Sequence, residues 1–323
     1  MKLRKLGSLA VCAAATLAVA ACSGGSTSAA GGDSSETVLT VSTIGSVADA
    51  ALQLGIDRGI FAEEGLKIET IPLTNPPAAV AAAQSGEVDV AFVPVVPFIN
   101  AVSQGVPLTA VAGADELPAK DTAKFDDGAI VVNPDSGIDS FADLAGKKIA
   151  IPARKGVYEV VTTAALVKAG VDPASVEWLS LDFAAALEAV KSGSIDAASL
   201  SSPFNAQALG DGMKILGKPT AEAFGEGPVD IYASGQQAVA EKAEALEKFR
   251  TAMHKANAYA NEHVDDALAT GVKMAGFDIK PSEVTPVYWS TELKPETLDE
   301  VAATMTDLGF LKEKPDFSKA IMK

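Results

Sequence analysis

The chain has 323 residues, 48% of them hydrophobic, and a formal charge of −16. That length and apolar content leave room for two compact lobes or one large domain around a sizeable core. The acidic balance argues against nucleic acid or anionic lipid as a partner, and a complement of two cysteines (Cys12, Cys22) and two histidines (His254, His263) leaves no Cys/His zinc site.

The chain opens on Met1-Lys2-Leu3-Arg4-Lys5, an apolar run, and then Val19-Ala20-Ala21-Cys22. A short basic start, an apolar stretch too brief to span a bilayer and small residues before a cleavage point form a secretory signal. The Cys directly after Val-Ala-Ala makes it resemble a bacterial lipoprotein signal. That resemblance implies a signal peptide at 1–21, lipid on Cys22, and anchoring at the outer face of the bacterial cytoplasmic membrane. Residues 23–35 are almost all Ser, Gly, Ala and Thr; they cannot bury a core, so 22–35 reads as a flexible tether. Cys12 would leave with the signal, which excludes an internal disulfide. Export also speaks against most cofactor chemistry, and no cofactor or metal is expected.

The folded part begins with an apolar strand at 37–42. A helix follows at 47–59, with Ala48, Ala51, Leu52 and Ile56 at helical spacing, then an alternating strand at 66–71. An Ala-rich helix at 78–84 stops at Ser85-Gly86, and 88–93 reads as a buried strand. Alternation of strand and helix implies right-handed crossovers and a largely parallel sheet. The pattern returns with strands at 148–151, 176–181 and 195–200 and helices at 158–169 and 184–191. Helices at 241–261, 264–275 and 297–308 close the chain, and His254 reads as an exposed helical histidine.

An internal echo links the two halves. Ser85-Gly86-Glu87-Val88-Asp89-Val90-Ala91 matches Ser192-Gly193-Ser194-Ile195-Asp196-Ala197-Ala198, and each leads to a Pro-Phe pair, Pro97-Phe98 and Pro203-Phe204. Two such units in equivalent places predict two similarly built lobes. The Gly fits a helix stop, and the Asp reads as a structural cap or bridge.

Several segments carry a family resemblance. Gly59-Ile60-Phe61-Ala62-Glu63-Glu64-Gly65-Leu66-Lys67-Ile68 resembles a signature of substrate-binding proteins of ABC importers, in the branch serving alkanesulfonates, taurine, nitrate and the thiamine pyrimidine precursor. Gly105-Val106-Pro107-Leu108, Phe141-Ala142-Asp143-Leu144-Ala145-Gly146-Lys147-Lys148 and Asp307-Leu308-Gly309-Phe310-Leu311 follow in family order. The resemblance implies an α/β, two-lobed periplasmic-binding-protein fold (type II), with the ligand in the cleft and a helical C-terminal segment. Lobe 1 would hold 36–128 and lobe 2 would hold 129–231. Residues 232–323 would return to lobe 1, with hinges near Asp127-Gly128 and Asp230-Ile231-Tyr232.

Ligands of open α/β sheets bind outside the carboxyl ends of strands, where helix N-termini favour anions. That rule selects five loops and the candidate residues Ser46, Thr74, Asn75, Val95, Arg154, Lys155, Tyr158, Ser201 and Ser202, with Tyr232 added from the second hinge. Arg154 sits between strand and helix, where a forked guanidinium could clamp a sulfonate, carboxylate or nitrate; the alternative is a surface charge. For the small polar residues the alternative is a helix cap. The apolar Val93–Val96 stretch and Ser201-Ser202 suggest a ligand with an apolar portion.

The leading function is solute capture for an ABC permease and its ATPase by a monomeric, lipid-anchored receptor. The solute would be an alkanesulfonate-, taurine- or nitrate-like anion, or else a thiamine-precursor-like heterocycle. A membrane-anchored sensor without a permease is the alternative. An exported enzyme is a further alternative, but the chain shows no nucleophile elbow and no His beside a Ser nucleophile, so no catalysis is expected. The acid pairs Asp126-Asp127, Asp265-Asp266 and Asp299-Glu300 read as solvated turn or helix faces.

Overall fold

A computed structural model describes residues 36–323. The signal-like segment 1–21, Cys22 and the 22–35 tether lie outside the described residues. Strands β1 (Thr37–Thr43) and β2 (Leu66–Pro72) pair in parallel, and Val41 of β1 bridges to Val90. Next come β3 (Ala91–Pro94), β4 (Leu108–Leu117), β5 (Ala129–Val132), β6 (Lys148–Ile151), β7 (Glu177–Ser180), β8 (Ala197–Leu200), β9 (Lys214–Gly217), β10 (Gly227–Gly235) and β11 (Tyr288–Trp289). A four-stranded sheet runs β11-β4-β10-β3, and a five-stranded sheet runs β7-β6-β8-β5-β9. The second sheet draws its strands only from 129–217. The chain enters it after β4 and leaves it before β10, which makes the α/β fold two-lobed.

The sheets are more antiparallel than the strand–helix alternation predicts. β10 pairs antiparallel with both β3 and β4, and β5 pairs antiparallel with both β8 and β9. The chain therefore crosses between lobes on strands that run against their neighbours, while β6 lies parallel to β7 and β8.

The internal echo has a physical basis. Gly86 and Gly193 both adopt left-handed backbone, φ 76° and 71°, where a side chain would be strained. The following aspartates do the same work in each lobe. Asp89 accepts from the Thr40 amide at 2.9 Å, and Asp196 accepts from the Lys148 amide at 2.8 Å. Each thereby ties a helix–strand corner to the first parallel strand of its sheet. Asp89 also pairs with Lys242.

Two helices are shorter than their apolar pattern. The 47–59 segment divides into a 3-10 turn, Val47–Asp49, and a helix, Ala50–Asp57. Ser46 and Asp49 cap the turn reciprocally, which fixes a separate start. The 241–261 helix is preceded by a separate turn of helix, Gln236–Glu241, and runs from Ala243 to Glu262. Lys242 between them is the residue that reaches Asp89.

The core of lobe 1 is aromatic at its centre. Tyr232 meets Phe92 edge-on at 5.5 Å and Phe249 at 5.4 Å, and Phe249 stacks on Phe61 at 5.7 Å. All four side chains are buried, each contributing roughly 1.5–3 kcal/mol in burial alone. Trp289 is buried too; its indole N–H donates to the Ala48 carbonyl at 3.1 Å, beside the turn that carries Asp49.

Candidate functional site

A cavity lies where the two lobes meet, at the carboxyl ends of several strands. Ile44, Ser46, Pro76, Pro94, Pro97, Val229 and Asp230 line it from lobe 1. Asp127, Pro152, Ala153, Gly156, Val157, Tyr158, Phe183, Ser201 and Thr220 line it from the other side. The cavity is small, about 50 Å3. The walls are prolines, aliphatics and an edge-on Tyr158–Phe183 pair at 5.8 Å. The polar groups are hydroxyls and two carboxyls; no lysine or arginine is among these lining residues.

Both carboxyls stand on the segments that cross between lobes. Asp127 lies just before β5. Ser201 Oγ donates to its Oδ2 at 2.5 Å and the Ser202 amide donates at 3.2 Å. Asn205 Nδ2 holds the Asp127 carbonyl at 2.6 Å. Burial pushes the Asp127 carboxyl up to about 6, with the Ser201 bond opposing and the Asp126 charge reinforcing. Its neighbour Asp126 is fully buried and accepts from the Ala221 amide at 2.8 Å. The pair expected on a solvated turn is thus drawn inward by the hydroxyl and amide groups waiting for it.

Asp230 lies on β10 directly opposite Asp115 of β4. Like charges across a strand pair repel, and here Asp115 is buried and Asp230 half-buried. Burial raises the Asp230 carboxyl to about 7, and it raises Asp115 well above the ordinary carboxylate range. One proton shared between the two relieves the repulsion, as in any close carboxyl pair. Asp115 Oδ1 and Tyr232 Oη are buried nearby with no hydrogen-bond partner in the protein.

Asp49 lies behind the 44–46 loop and does not line the cavity itself. It is fully buried, and its Oδ2 accepts from the amides of Ile44, Gly45 and Ser46 at 3.0, 2.6 and 3.2 Å. It therefore shapes the 44–46 loop against the cavity. Burial raises its carboxyl to about 6 against the pull of those three amides.

The candidate residues from the sequence divide clearly. Ser46, Tyr158 and Ser201 line the cavity. Ser202 is buried beneath it, its hydroxyl donating to the Thr285 carbonyl at 3.0 Å while its own carbonyl accepts from the Val47 amide at 3.1 Å. Thr74 is exposed beside Gly45. Asn75 caps the helix Pro76–Ser85 through the Ala78 amide. Val95 is core, and the Tyr232 ring belongs to the aromatic centre described above.

Arg154 and Lys155 take a different direction from the expected clamp. Arg154 Nε and Nη2 both donate to the buried Glu159, at 3.0 and 2.7 Å, and the guanidinium lies 6.0 Å from the Trp178 ring centroid. The Lys155 amide also donates to Glu159. Glu159, in the first turn of the helix Val157–Lys168, holds the Arg154 guanidinium and the Lys155 amide, and neither residue lines the cavity. Among the described residues, no group of three or more His, Cys, Asp or Glu side chains is placed to hold a metal ion.

The acids were missed because a charged residue next to a strand reads as solvated. The available signal was position: Asp127 and Asp230 are charged residues on the two segments expected to be hinges.

Residues 50–267 match the family model described as NMT1/THI5 like. A protein of Brucella abortus described as a candidate binding protein is 27% identical over 161 residues, 49% of this chain and 46% of that protein. The chain spans about half the length of the curated relatives it matches. Among solved structures, the alkanesulfonate-binding protein of Xanthomonas axonopodis pv. citri, bound to MOPS, matches at a TM-score of 0.72 with 16% identity, over 89% of this chain and 98% of that one. The periplasmic aliphatic sulphonate-binding protein of Escherichia coli matches at 0.65 with 20% identity, over 88% and 92%. A desulfurization enzyme shares the fold at 0.62 with 12% identity, over 88% and 96%. These likenesses establish the fold.

Proposed function

The chain belongs to the NMT1/THI5-like family, and on that premise we propose that it is the solute-binding component of an ABC importer. It captures a small molecule between its lobes and presents it to a membrane permease and its ATPase. In this reading the chain is exported, held to the membrane by lipid on Cys22, and works as a monomer without turnover of the solute. The observation that carries it is the cavity lined from both lobes, with Asp127 and Asp230 on the two connecting segments. A solute touching both carboxyls bears on the two points about which the lobes would move. The Val47–Ser202 backbone bond, which joins lobe 1 to the Asp127 support, supplies a contact that closure would make.

Two solute classes follow from the sequence, a sulfonate- or nitrate-like anion and a nitrogen heterocycle. The lining favours the second. An anion here would face carboxyls with no cationic lining residue, whereas a flat ring with N–H donors finds apolar walls and acceptors. The test is a thermal-shift screen of sulfonates, nitrate, carboxylates, pyrimidines and amino acids against the chain and its Ala153→Trp variant, which fills the cavity. A ligand at about 100 times its dissociation constant adds roughly 2.7 kcal/mol of stability. The proposal expects a compound that shifts the wild type and not the variant; a response unchanged by the filled cavity refutes this location.

A further inference from the structure

We propose that the solute recognised here carries a positively charged nitrogen group, such as an amidinium, guanidinium or protonated amine, bound between Asp127 and Asp230 with Asp115 behind. This rests on the solute-receptor reading and names its substrate class.

The argument is geometric. Asp115 and Asp230 are cross-strand partners on β4 and β10, at an irregularity of the register, with Asp115 buried and Asp230 half-buried at the cavity wall. A fold does not place like charges opposite each other in a buried sheet without cost. The cost is relieved in two ways: a proton on the pair, or a cation against it. Asp230 alone of the two lines the cavity, so a cation entering there meets the pair end-on. Asp115 Oδ1 is buried without a partner, as is Tyr232 Oη beside it. Asp115 Oδ1 is an acceptor whose one protein partner is the proton it would share with Asp230, and a nitrogen cation, which supplies only donors, can take that proton's place. On the far wall Asp127 offers a second carboxylate whose Oδ2 alone is engaged by Ser201 and Ser202. Two carboxylates flanking an apolar slot match a planar cation with donors on two edges.

The surrounding charges set the pH dependence. Asp49 from the 44–50 turn, Asp115 from β4, Asp126 and Asp127 before β5, and Asp230 from β10 are all acidic. Tyr158 and Tyr232 are neutral, their phenols raised by burial. Lys218 is the cation that acts on Asp126 and Asp127, and its Nζ donates to Thr285 Oγ1 at 2.9 Å. A cation therefore binds as the acids lose protons, and the proton shared by Asp115 and Asp230 passes to solvent as the cation arrives. With Asp230 titrating near 7, affinity falls at least about tenfold from pH 8 to pH 5.

Three small methyl-bearing probes separate the classes: planar cationic methylguanidinium, planar neutral N-methylurea and anionic methanesulfonate. Each is titrated into the chain by thermal shift at pH 8 and pH 5, with Asp230→Asn and Asp127→Asn in parallel. The proposal predicts stabilisation by methylguanidinium alone, at least about tenfold weaker at pH 5 and at least about tenfold weaker in either variant. Stronger stabilisation by methanesulfonate or methylurea overturns the cation class and leaves the receptor standing. Methylguanidinium binding that persists in both variants overturns the assignment to these acids. No response to methylguanidinium at either pH also overturns it, and the receptor reading then stands or falls on the wider solute screen alone.

Discussion

Replacing Asp230 by Asn should stabilise the ligand-free protein most at pH 8 and by much less, about 1–2 kcal/mol, at pH 5. In the folded chain burial and its carboxyl neighbours hold Asp230 near 7 instead of 3.8. Between those values the folded state keeps a proton that the unfolded chain has released. Stability from this group is complete below about 4 and is lost as pH rises through 7. The full displacement corresponds to about 4 kcal/mol at pH 8. Water in the cavity lowers that figure, and about 2–4 kcal/mol is the expected gain for Asn. Asn has nearly the same volume, and its amide adds a donor for the unpartnered Asp115 oxygen, so the packing reason for a loss is absent. For a chain of this size the gain appears as a rise of several degrees in Tm. Calorimetry of wild type and variant at half-unit steps from pH 4.5 to 8.5 measures it. Two curves that run parallel across the range, or a variant less stable at pH 8, would refute the reasoning that these acids repel in the folded state.

Other consequences follow from the same contacts. Ser201→Ala removes the 2.5 Å donor to half-buried Asp127 and should cost about 1–2 kcal/mol at pH 8 in denaturant titration, with less loss at pH 5, where Asp127 is protonated. Arg154→Ala leaves the buried Glu159 carboxylate without its forked partner and should cost about 1–3 kcal/mol of stability while solute affinity stays within about twofold; a large loss of affinity would put Arg154 back in the cleft. Gly235→Ala would set a Cβ 2.0 Å from the Ala83 carbonyl oxygen, and soluble expression or melting should show a loss of several kcal/mol.

The parts of the fold legible in the sequence were those with strong local pattern. β1, β2 and β6 are β-branched runs with clear turns, and the repeated Ser-Gly-x-x-Asp corner is visible because its Gly and Asp each have a backbone task. β4 and β10 were missed. Leu108–Leu117 is rich in Ala and carries Gly113, and β10 opens on Gly-Pro; neither has the β-branched content that marks a strand. They become strands because each is the other's partner, which is a tertiary fact. The site divides in the same way. Loops at strand ends were predictable, so Ser46, Tyr158 and Ser201 were named. The carboxyls were not, because the setting of Asp115 and Asp127 arises from segments far apart in sequence, Asp230 opposite Asp115 and Ser201 donating to Asp127. Arg154 shows the converse: its loop was found, but Glu159 five residues on decides where it points.

The most direct test of the account is a competition for the cleft. The chain is equilibrated at pH 8 with an equimolar mixture of amines, amidines, aminopyrimidines, amino acids, carboxylates, sulfonates and nitrate, washed rapidly, and shifted to pH 5. Mass spectrometry then identifies what is released. The account predicts nitrogen bases, absent when Ala153→Trp fills the cavity. Retention of sulfonates, nitrate or carboxylates in preference to the bases, or the same compounds from the filled variant, would contradict it.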